Sequence, residues 1–309
     1  MPCPERVPQD MDVQELDAKL AGVFAPICTP FTEDESVDLV ALRYNLELYA
    51  ETQLRGYMAI GSNGENKSLT EKEKLLVLEM VVQHKGPDKV VMAGATYDAQ
   101  RDTERFLKSA AGLGADFGVL LPPSYFRAQM TDDVLYRYYA TVADVSPIPI
   151  LLYNAPKFCG LVLSPELVGR LAPHPNIVGI KDSASSGIEA FLQYSRPGFR
   201  VLAGSISFLF PAMMAGAVGG TVSVANAFPH IACKLYQLGL VRDSEAGAAY
   251  QAWVRQVNKA ISGRYGVAGV KAAMDLYGFK GGIPRRPLLP LDKAQRQELR
   301  ATLVEEGVL

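Results

Sequence analysis

Lys181 closes the short apolar run Ile177-Val-Gly-Ile180, so its stem can lie among apolar neighbours. Loss of solvent penalises an ammonium group. A neutral amine attacks a ketone, and the resulting imine draws electrons from the adjoining carbon–carbon bond. Taken alone, the residue can equally be a salt-bridged lysine facing a helix, or one snorkelling at the end of a strand. Strand alternation puts Lys181 and Ser183 on one face and Asp182 on the other, so Asp182 reads as structural. Tyr153 ends another apolar run, and a phenol beside an imine can take and return a proton without a resting charge. The bland reading of Tyr153 is an aromatic packed at a strand end. The stretch Gly61-Ser62-Asn63-Gly64-Glu65 places two glycines around small polar residues. Such a turn can point several backbone N–H groups at an anion, here a carboxylate. Gly-rich turns between strand and helix are common, and Glu65 can simply hold the loop. Gly204-Ser205 ends a further apolar run.

Other chemistries are harder to assemble. The three histidines, His84, His174 and His230, are scattered, two of them on the expected outer layer or bottom face. Transition metals favour clustered imidazoles and carboxylates, so no metal site is expected. A Ser-His-Asp triad fails on the same ground, and Gly61-Ser-Asn-Gly is not a G-x-S-x-G elbow. Cys159 has no histidine nearby and reads as a bystander. A phosphosugar-binding barrel is the rival reading, because Gly204-Ser205 and Gly219-Gly220 fall where many barrels hold phosphate. Against it, Gly219-Gly220 precedes the run Val222–Ala225 and so starts a strand rather than ending one.

The elements that position these residues alternate along the chain. Apolar, β-branched runs predict strands at Gly22–Pro30, Gly56–Gly61, Lys89–Gly94, Asp116–Leu121, Ile148–Asn154, Ile177–Asp182, Arg200–Gly204 and Gly220–Ala225. Between them, Ser68-Leu-Thr-Glu reads as a capping box before a helix to His84. Thr103–Leu113 stops at Gly114, Asp132–Val142 has helical spacing, and Ser164 caps Pro165–Leu171. This order predicts an α/β fold, a closed (β/α)8 TIM barrel over residues 22–242. A doubly wound sheet is the runner-up, but no G-x-G-x-x-G follows the first strand. Residues 1–21 read as an N-terminal extension and 243–309 as a helical appendage, with helices at Ser244–Ile261, Val267–Tyr277 and Asp292–Glu305.

Composition narrows the class further. Apolar residues make up 49% and charged residues 21% of the 309, which suits a soluble globular chain. A formal charge of −2 gives no general attraction to nucleic acid or to anionic membranes. Four dispersed cysteines, Cys3, Cys28, Cys159 and Cys233, form no C-x-x-C pair and suggest reduced thiols. No apolar leader or membrane-length run is seen, so a cytoplasmic location is expected.

With these motifs in order, the sequence resembles the dihydrodipicolinate synthase / N-acetylneuraminate lyase family from about Gly22 to its end. The likeness rests on Thr29-Pro30-Phe31, the G-x-x-G-E turn at Gly61–Glu65, Tyr-Asn-x-Pro at Tyr153–Pro156 and Gly-Ile-Lys at Gly179–Lys181. The resemblance implies a class I pyruvate aldolase or lyase with no cofactor. Lys181 would form the Schiff base and Tyr153 would shuttle protons, with the Ser62 hydroxyl in the relay. The Ser62 and Asn63 amides would hold the pyruvate carboxylate. It also implies a second catalytic tyrosine at Tyr125 and a homotetramer built as a dimer of dimers; Ser183, on the Lys181 face, and Gly204, at the end of the seventh strand, are the further substrate contacts expected from their positions. Dihydrodipicolinate synthases carry an arginine two residues beyond Tyr-Asn-x-Pro, where this chain has Phe158, and two threonines where it has Ser62-Asn63. The Gly61–Glu65 turn, Lys181-Asp182-Ser183, Leu202-Ala-Gly-Ser205 and Met274-Asp275 look most like 4-hydroxy-2-oxoglutarate aldolases. Cleavage of that acid to pyruvate and glyoxylate is the expected reaction. Dihydrodipicolinate synthesis, or another 2-keto acid lyase or dehydratase activity, is the alternative. With Phe158 in place of the arginine, Lys157, Arg127 and Ser183 are the candidates to hold a second carboxylate.

Overall fold

The computed structural model describes residues 12–184 and 186–309. Eight short strands, each hydrogen-bonded to its sequence neighbours, close into a parallel barrel. They are β1 (Gly22–Ala25), β2 (Gly56–Ala59), β3 (Val90–Ala95), β4 (Phe117–Leu120), β5 (Ile150–Asn154), β6 (Ile177–Asp182), β7 (Arg200–Ala203) and β8 (Gly219–Thr221). Helices cover the outside, so nearly every strand residue is buried, which is why the strands read as apolar runs rather than as alternating patterns. Phe24, Met58, Met92, Val119, Leu151 and Leu202 fill the barrel interior. The opposite strand faces pack against the helices. Within the expected N-terminal extension, a helix at Val13–Leu20 adds Leu16 and Leu20 to the interior cluster and stoppers the end where the strands begin. The rest of that extension, including Cys3, lies outside the described residues.

One register shift matters more than the others. Ile150 pairs with Ile177, but Leu151 pairs with Gly179, so β6 carries one extra residue at Val178. Val178 packs inside the barrel and Ile180 outside it. Uninterrupted alternation from Val178 would turn Ile180 inward and Lys181 out. The bulge reverses that parity and brings Lys181 to the interior, in register with Tyr153.

Several expected boundaries move: β1 stops at Ala25 rather than Pro30 and β2 at Ala59 rather than Gly61, and two further shifts bear on the loops at the strand ends. The capping box is Thr70 with Glu73, not Ser68 with Glu71: Ser68 is taken up by a short helical turn at Asn66–Ser68, and Thr70 then accepts from the Glu73 N–H. The eighth strand is Gly219–Thr221 instead of Gly220–Ala225, because Ser223–Asn226 coils into a 3-10 turn. Asn226 holds that turn by accepting from the Cys28 N–H at 3.0 Å and donating to the Pro26 carbonyl at 3.1 Å. Gly219-Gly220 does enter the strand rather than leave it. The C-terminal helices run Ser244–Asn258, Arg264–Tyr277 and Lys293–Glu305, with a π turn at Lys259–Gly263 and a break at Gly266 (φ 58°, ψ −140°).

Gly179 sits in the bulge with no room for a side chain, since a Cβ there would lie 2.3 Å from the Arg200 carbonyl oxygen. Gly179→Ala is expected to destabilise the fold by roughly 1–3 kcal/mol, the usual cost of overpacking. Thermal melting should show a fall of several degrees. An unchanged Tm would mean that the β6–β7 spacing yields freely.

Candidate active site

Barrels place their chemistry where the strands end. A cavity of about 560 Å³ opens there, and Ser62, Asn63, Tyr153, Lys181, Ser183 and Gly204 all line it. Lys181 is only 5% exposed. Its Nζ lies 4.0 Å from the centre of the Tyr153 ring and 3.3 Å from Met58 Sδ. Among the described residues no carboxylate comes within 4.0 Å of it. The amine is held against a phenol and a thioether, in surroundings that do little to solvate a charge.

Tyr153 is almost wholly buried. Burial alone would push its phenol up. The neighbouring Lys181 charge and the nearby Ser183 and Ser62 hydroxyls outweigh burial and leave it below the ordinary tyrosine value. A phenol so placed gives up a proton more readily and sits between two hydroxyls that can relay it. Ser183 also donates to the Gly204 carbonyl at 3.2 Å.

The Gly61–Glu65 turn leaves β2 through unusual backbone. Ile60 has φ 58° and Glu65 φ 54°, a region a β-branched residue enters only when its surroundings hold it there. Asn63 Nδ2 donates to Ser223 Oγ at 2.9 Å, and Thr29 Oγ1 donates to the Gly64 carbonyl at 2.8 Å, tying the turn to the neighbouring loops. The Ser62 and Asn63 backbone N–H groups find no acceptor among the described residues.

Behind the Tyr153–Lys181 pair, the next residues in register form a clasp. Asp182 Oδ1 accepts from Asn154 Nδ2 at 2.7 Å and from the Ala184 N–H at 3.1 Å, while Asn154 Oδ1 accepts from the Leu163 N–H at 3.0 Å. Asp182 does not line the cavity.

Not every expected residue arrives. Tyr125 is 80% exposed, stacked edge-on to Phe126, and lies outside the cavity lining. The loop carrying it is held at the cavity edge by Asp98, which accepts from the Ser124 and Tyr125 N–H groups at 2.6 and 3.0 Å, while the Tyr125 ring stays in solvent. Within a single chain, then, Tyr125 does not reach Lys181. Arg127 is also outside, beside Gly160, whereas Lys157 and the half-exposed Phe158 do border the cavity. Cys159 borders it too, with its thiol turned to the Ala155 and Leu161 carbonyls. His84 ends a helix, His174 pairs with Asp144 at 3.1 Å, and His230 stacks on Tyr277. Among the described residues no three His, Cys, Asp or Glu side chains gather as metal ligands would. No helix among them is long and apolar enough to cross a membrane.

The C-terminal helices contribute a wall that sequence reading missed. Asn258, Ser262, Gly266 and Val267 line the cavity. Ser262 Oγ donates to Asn258 Oδ1 at 2.8 Å, and Asn258 Nδ2 donates to Ser207 Oγ at 3.1 Å. The one signal was Gly263 and Gly266 inside an otherwise helical pattern, a common mark of a packing or functional constraint.

The family model described as the dihydrodipicolinate synthetase family matches residues 19–306. The chain belongs to that family. It is a lyase of the aldolase type. An L-threo-3-deoxy-hexylosonate aldolase of Hypocrea jecorina is 32% identical over 305 residues, covering 93% of this chain and 94% of that protein. A probable mitochondrial 4-hydroxy-2-oxoglutarate aldolase of Emericella nidulans is 30% identical over 295 residues, covering 92% and 94%. The crystal structure of a chloride-inhibited dihydrodipicolinate synthase from Acinetobacter baumannii, complexed with pyruvate, superposes with a TM-score of 0.88 at 27% identity. That match covers 94% of this chain and all (100%) of the other.

Asp182 yields a pH test. Burial, partly offset by its two hydrogen bonds, raises its carboxyl from 3.8 to about 6. A raised folded value means a contribution that is complete below about pH 4 and lost as pH climbs through about 6. Asp182→Asn keeps an acceptor for Asn154 but cannot ionise. Its Tm relative to the native chain should therefore rise between about pH 4 and 7 and then level off. A difference independent of pH would show that Asp182 does not titrate in this range.

Proposed function

We propose that the chain is a class I aldolase in which Lys181 forms the imine, and that its substrate is 4-hydroxy-2-oxoglutarate. The observation that carries this reading is a buried amine without a carboxylate partner, in register with a tyrosine whose acidity it raises. Lys181 Nζ adds to the C2 ketone and water leaves, giving the imine. Tyr153 accepts the proton of the C4 hydroxyl as the C3–C4 bond breaks, and its electrons flow into the imine to form an enamine. The aldehyde, glyoxylate, departs. Protonation at C3 and hydrolysis then release pyruvate and restore the amine. Ser62 and Ser183, beside Tyr153, form the relay. The unengaged Ser62 and Asn63 N–H groups are suited to the C1 carboxylate. Lys157 and Ser183, both on the cavity wall, are the donors proposed for the distal carboxylate.

A second substrate within the same chemistry has its own support. The cavity lining also offers Ser205, Asn258 and Ser262, and about 560 Å³ is more room than a five-carbon diacid fills. Hydroxyls and an amide there suit a longer, polyhydroxylated 2-keto-3-deoxy acid. The proposed assembly is a homotetramer, which light scattering would report as four chain masses.

Borohydride with pyruvate is expected to leave a covalent adduct on Lys181, and Lys181→Ala to lose it. An adduct of unchanged yield in that variant would move the imine elsewhere. Tyr153→Phe should still form the imine slowly but turn over about 10²–10⁴-fold less, the usual loss for a general acid–base. Near-normal turnover in the folded variant would reduce Tyr153 to packing. For substrate, kcat/KM compared across 4-hydroxy-2-oxoglutarate, a six-carbon 2-keto-3-deoxy acid and the pyruvate–aspartate semialdehyde condensation should favour the first. Faster cleavage of the six-carbon acid would select the second reading, and faster condensation would make Phe158 an unusual replacement in a dihydrodipicolinate synthase.

A further inference from the structure

A second buried lysine stands near the first. Lys271, on the helix Arg264–Tyr277, is 1% exposed, and its Nζ lies 2.5 Å from Oε1 of Glu65, itself 5% exposed. The same Nζ donates to the Ile283 carbonyl at 2.7 Å and lies 4.5 Å from the centre of the Phe31 ring. Glu65 Oε2 accepts from the Arg285 N–H at 2.9 Å. Both ends of the carboxylate are thus held by the C-terminal segment, while Glu65 is also the last residue of the Gly61–Glu65 turn. Its backbone is in the left-handed region, and its N–H closes the turn on the Ser62 carbonyl at 3.1 Å. Glu65 borders the cavity, but Lys271 does not.

A buried ion pair is a poor source of net stability, because desolvation offsets much of the attraction. What it does supply is direction, since each charge is tolerated only where its partner stands. Here the fixed partner is a packed helix, and the positioned group is a turn whose backbone is strained at Ile60 and at Glu65. We propose that Lys271 is a positioning residue for the reaction: through Glu65 it holds the turn so that the Ser62 and Asn63 amides face the substrate's C1 carboxylate. The inference rests on the reading that this turn binds that carboxylate. Lys271 does not touch substrate, and it does not compete with Lys181 as nucleophile, because its amine is engaged by a carboxylate and a carbonyl.

The pair also couples two parts of the cavity. Gly266 and Val267, at the start of the same helix, form part of its wall. The helix that carries Lys271 therefore meets both the turn and the wall.

The test separates carboxylate recognition from general loosening. Borohydride trapping on Lys181 is measured as a function of concentration for pyruvate and for acetone, which has the ketone but no carboxylate. Lys271→Met is expected to raise the half-saturating pyruvate concentration roughly 10- to 100-fold, the scale of loss from a misplaced binding group. Trapping of acetone should change little. With substrate, KM should rise far more than kcat falls, because the carboxylate is held equally in the ground and transition states. The double variant Lys271→Met/Glu65→Gln leaves no uncompensated buried charge, so it folds even where the single change does not. It should show the same selective loss for pyruvate. Unchanged pyruvate half-saturation in either folded variant, or equal weakening for pyruvate and acetone, would overturn the positioning role. No pyruvate adduct in the native chain would instead overturn the aldolase reading on which the proposal rests.

Discussion

The orientation of Lys181 depends on one extra residue in β6. At the start of the strand Ile150 faces Ile177, one step later Leu151 faces Gly179, and from there the pairing runs evenly to Tyr153–Lys181 and Asn154–Asp182. Side chains alternate across a barrel wall, so one inserted residue exchanges inside and outside for everything that follows. Inside, that exchange yields an amine over a phenol ring; outside, it yields the Asn154–Asp182 clasp. The clasp in turn hinders slippage of the register that created it. The bulge is accommodated because Gly179 brings no side chain toward the Arg200 carbonyl.

The two buried lysines show how surroundings divide one residue type into two roles. Lys271 is charge-matched by Glu65 and satisfied by a carbonyl, so its amine is committed. Lys181 has a ring and a thioether against its amine and no carboxylate within ion-pair distance among the described residues, so its amine is not committed to a partner of that kind. The Lys181 charge lowers the Tyr153 phenol, so the acidity of that phenol depends on its neighbour.

Hydroxyl and amide groups finish the site. Ser62 and Ser183 stand beside Tyr153 from the loops after β2 and β6, Asn63 ties the Gly61–Glu65 turn to Ser223, and Asn258 with Ser262 adds cavity wall from the C-terminal helices. The break at Gly266 and the π turn before it let that wall bend over the barrel mouth. The tail is therefore part of the site and not merely attached to it.

Much of this was legible from residue order. Apolar runs separated by capped helices point to a parallel sheet covered by helices, because strands covered on both faces are apolar throughout, and eight of them without a dinucleotide fingerprint favour a closed barrel over a doubly wound sheet. Lys181, Tyr153, Ser62, Asn63, Ser183 and Gly204 each follow or end such a run, so a barrel brings them to one rim whatever its finer geometry. The β6 bulge was not legible: Ile177–Ile180 is apolar on both faces, and a pattern without alternation carries no parity to read. The Lys271–Glu65 pair was hidden because its members are about two hundred positions apart and each, alone, resembles an ordinary charge on a loop or helix. Tyr125, expected from the resemblance alone, stays exposed within one chain, because a motif match carries no information on where a loop side chain points. Sequence alone determined which residues could meet, through the local rules of strand and helix. Only tertiary structure decided which way they face and which charges go unpaired, because both depend on register and on contacts between segments far apart in the chain.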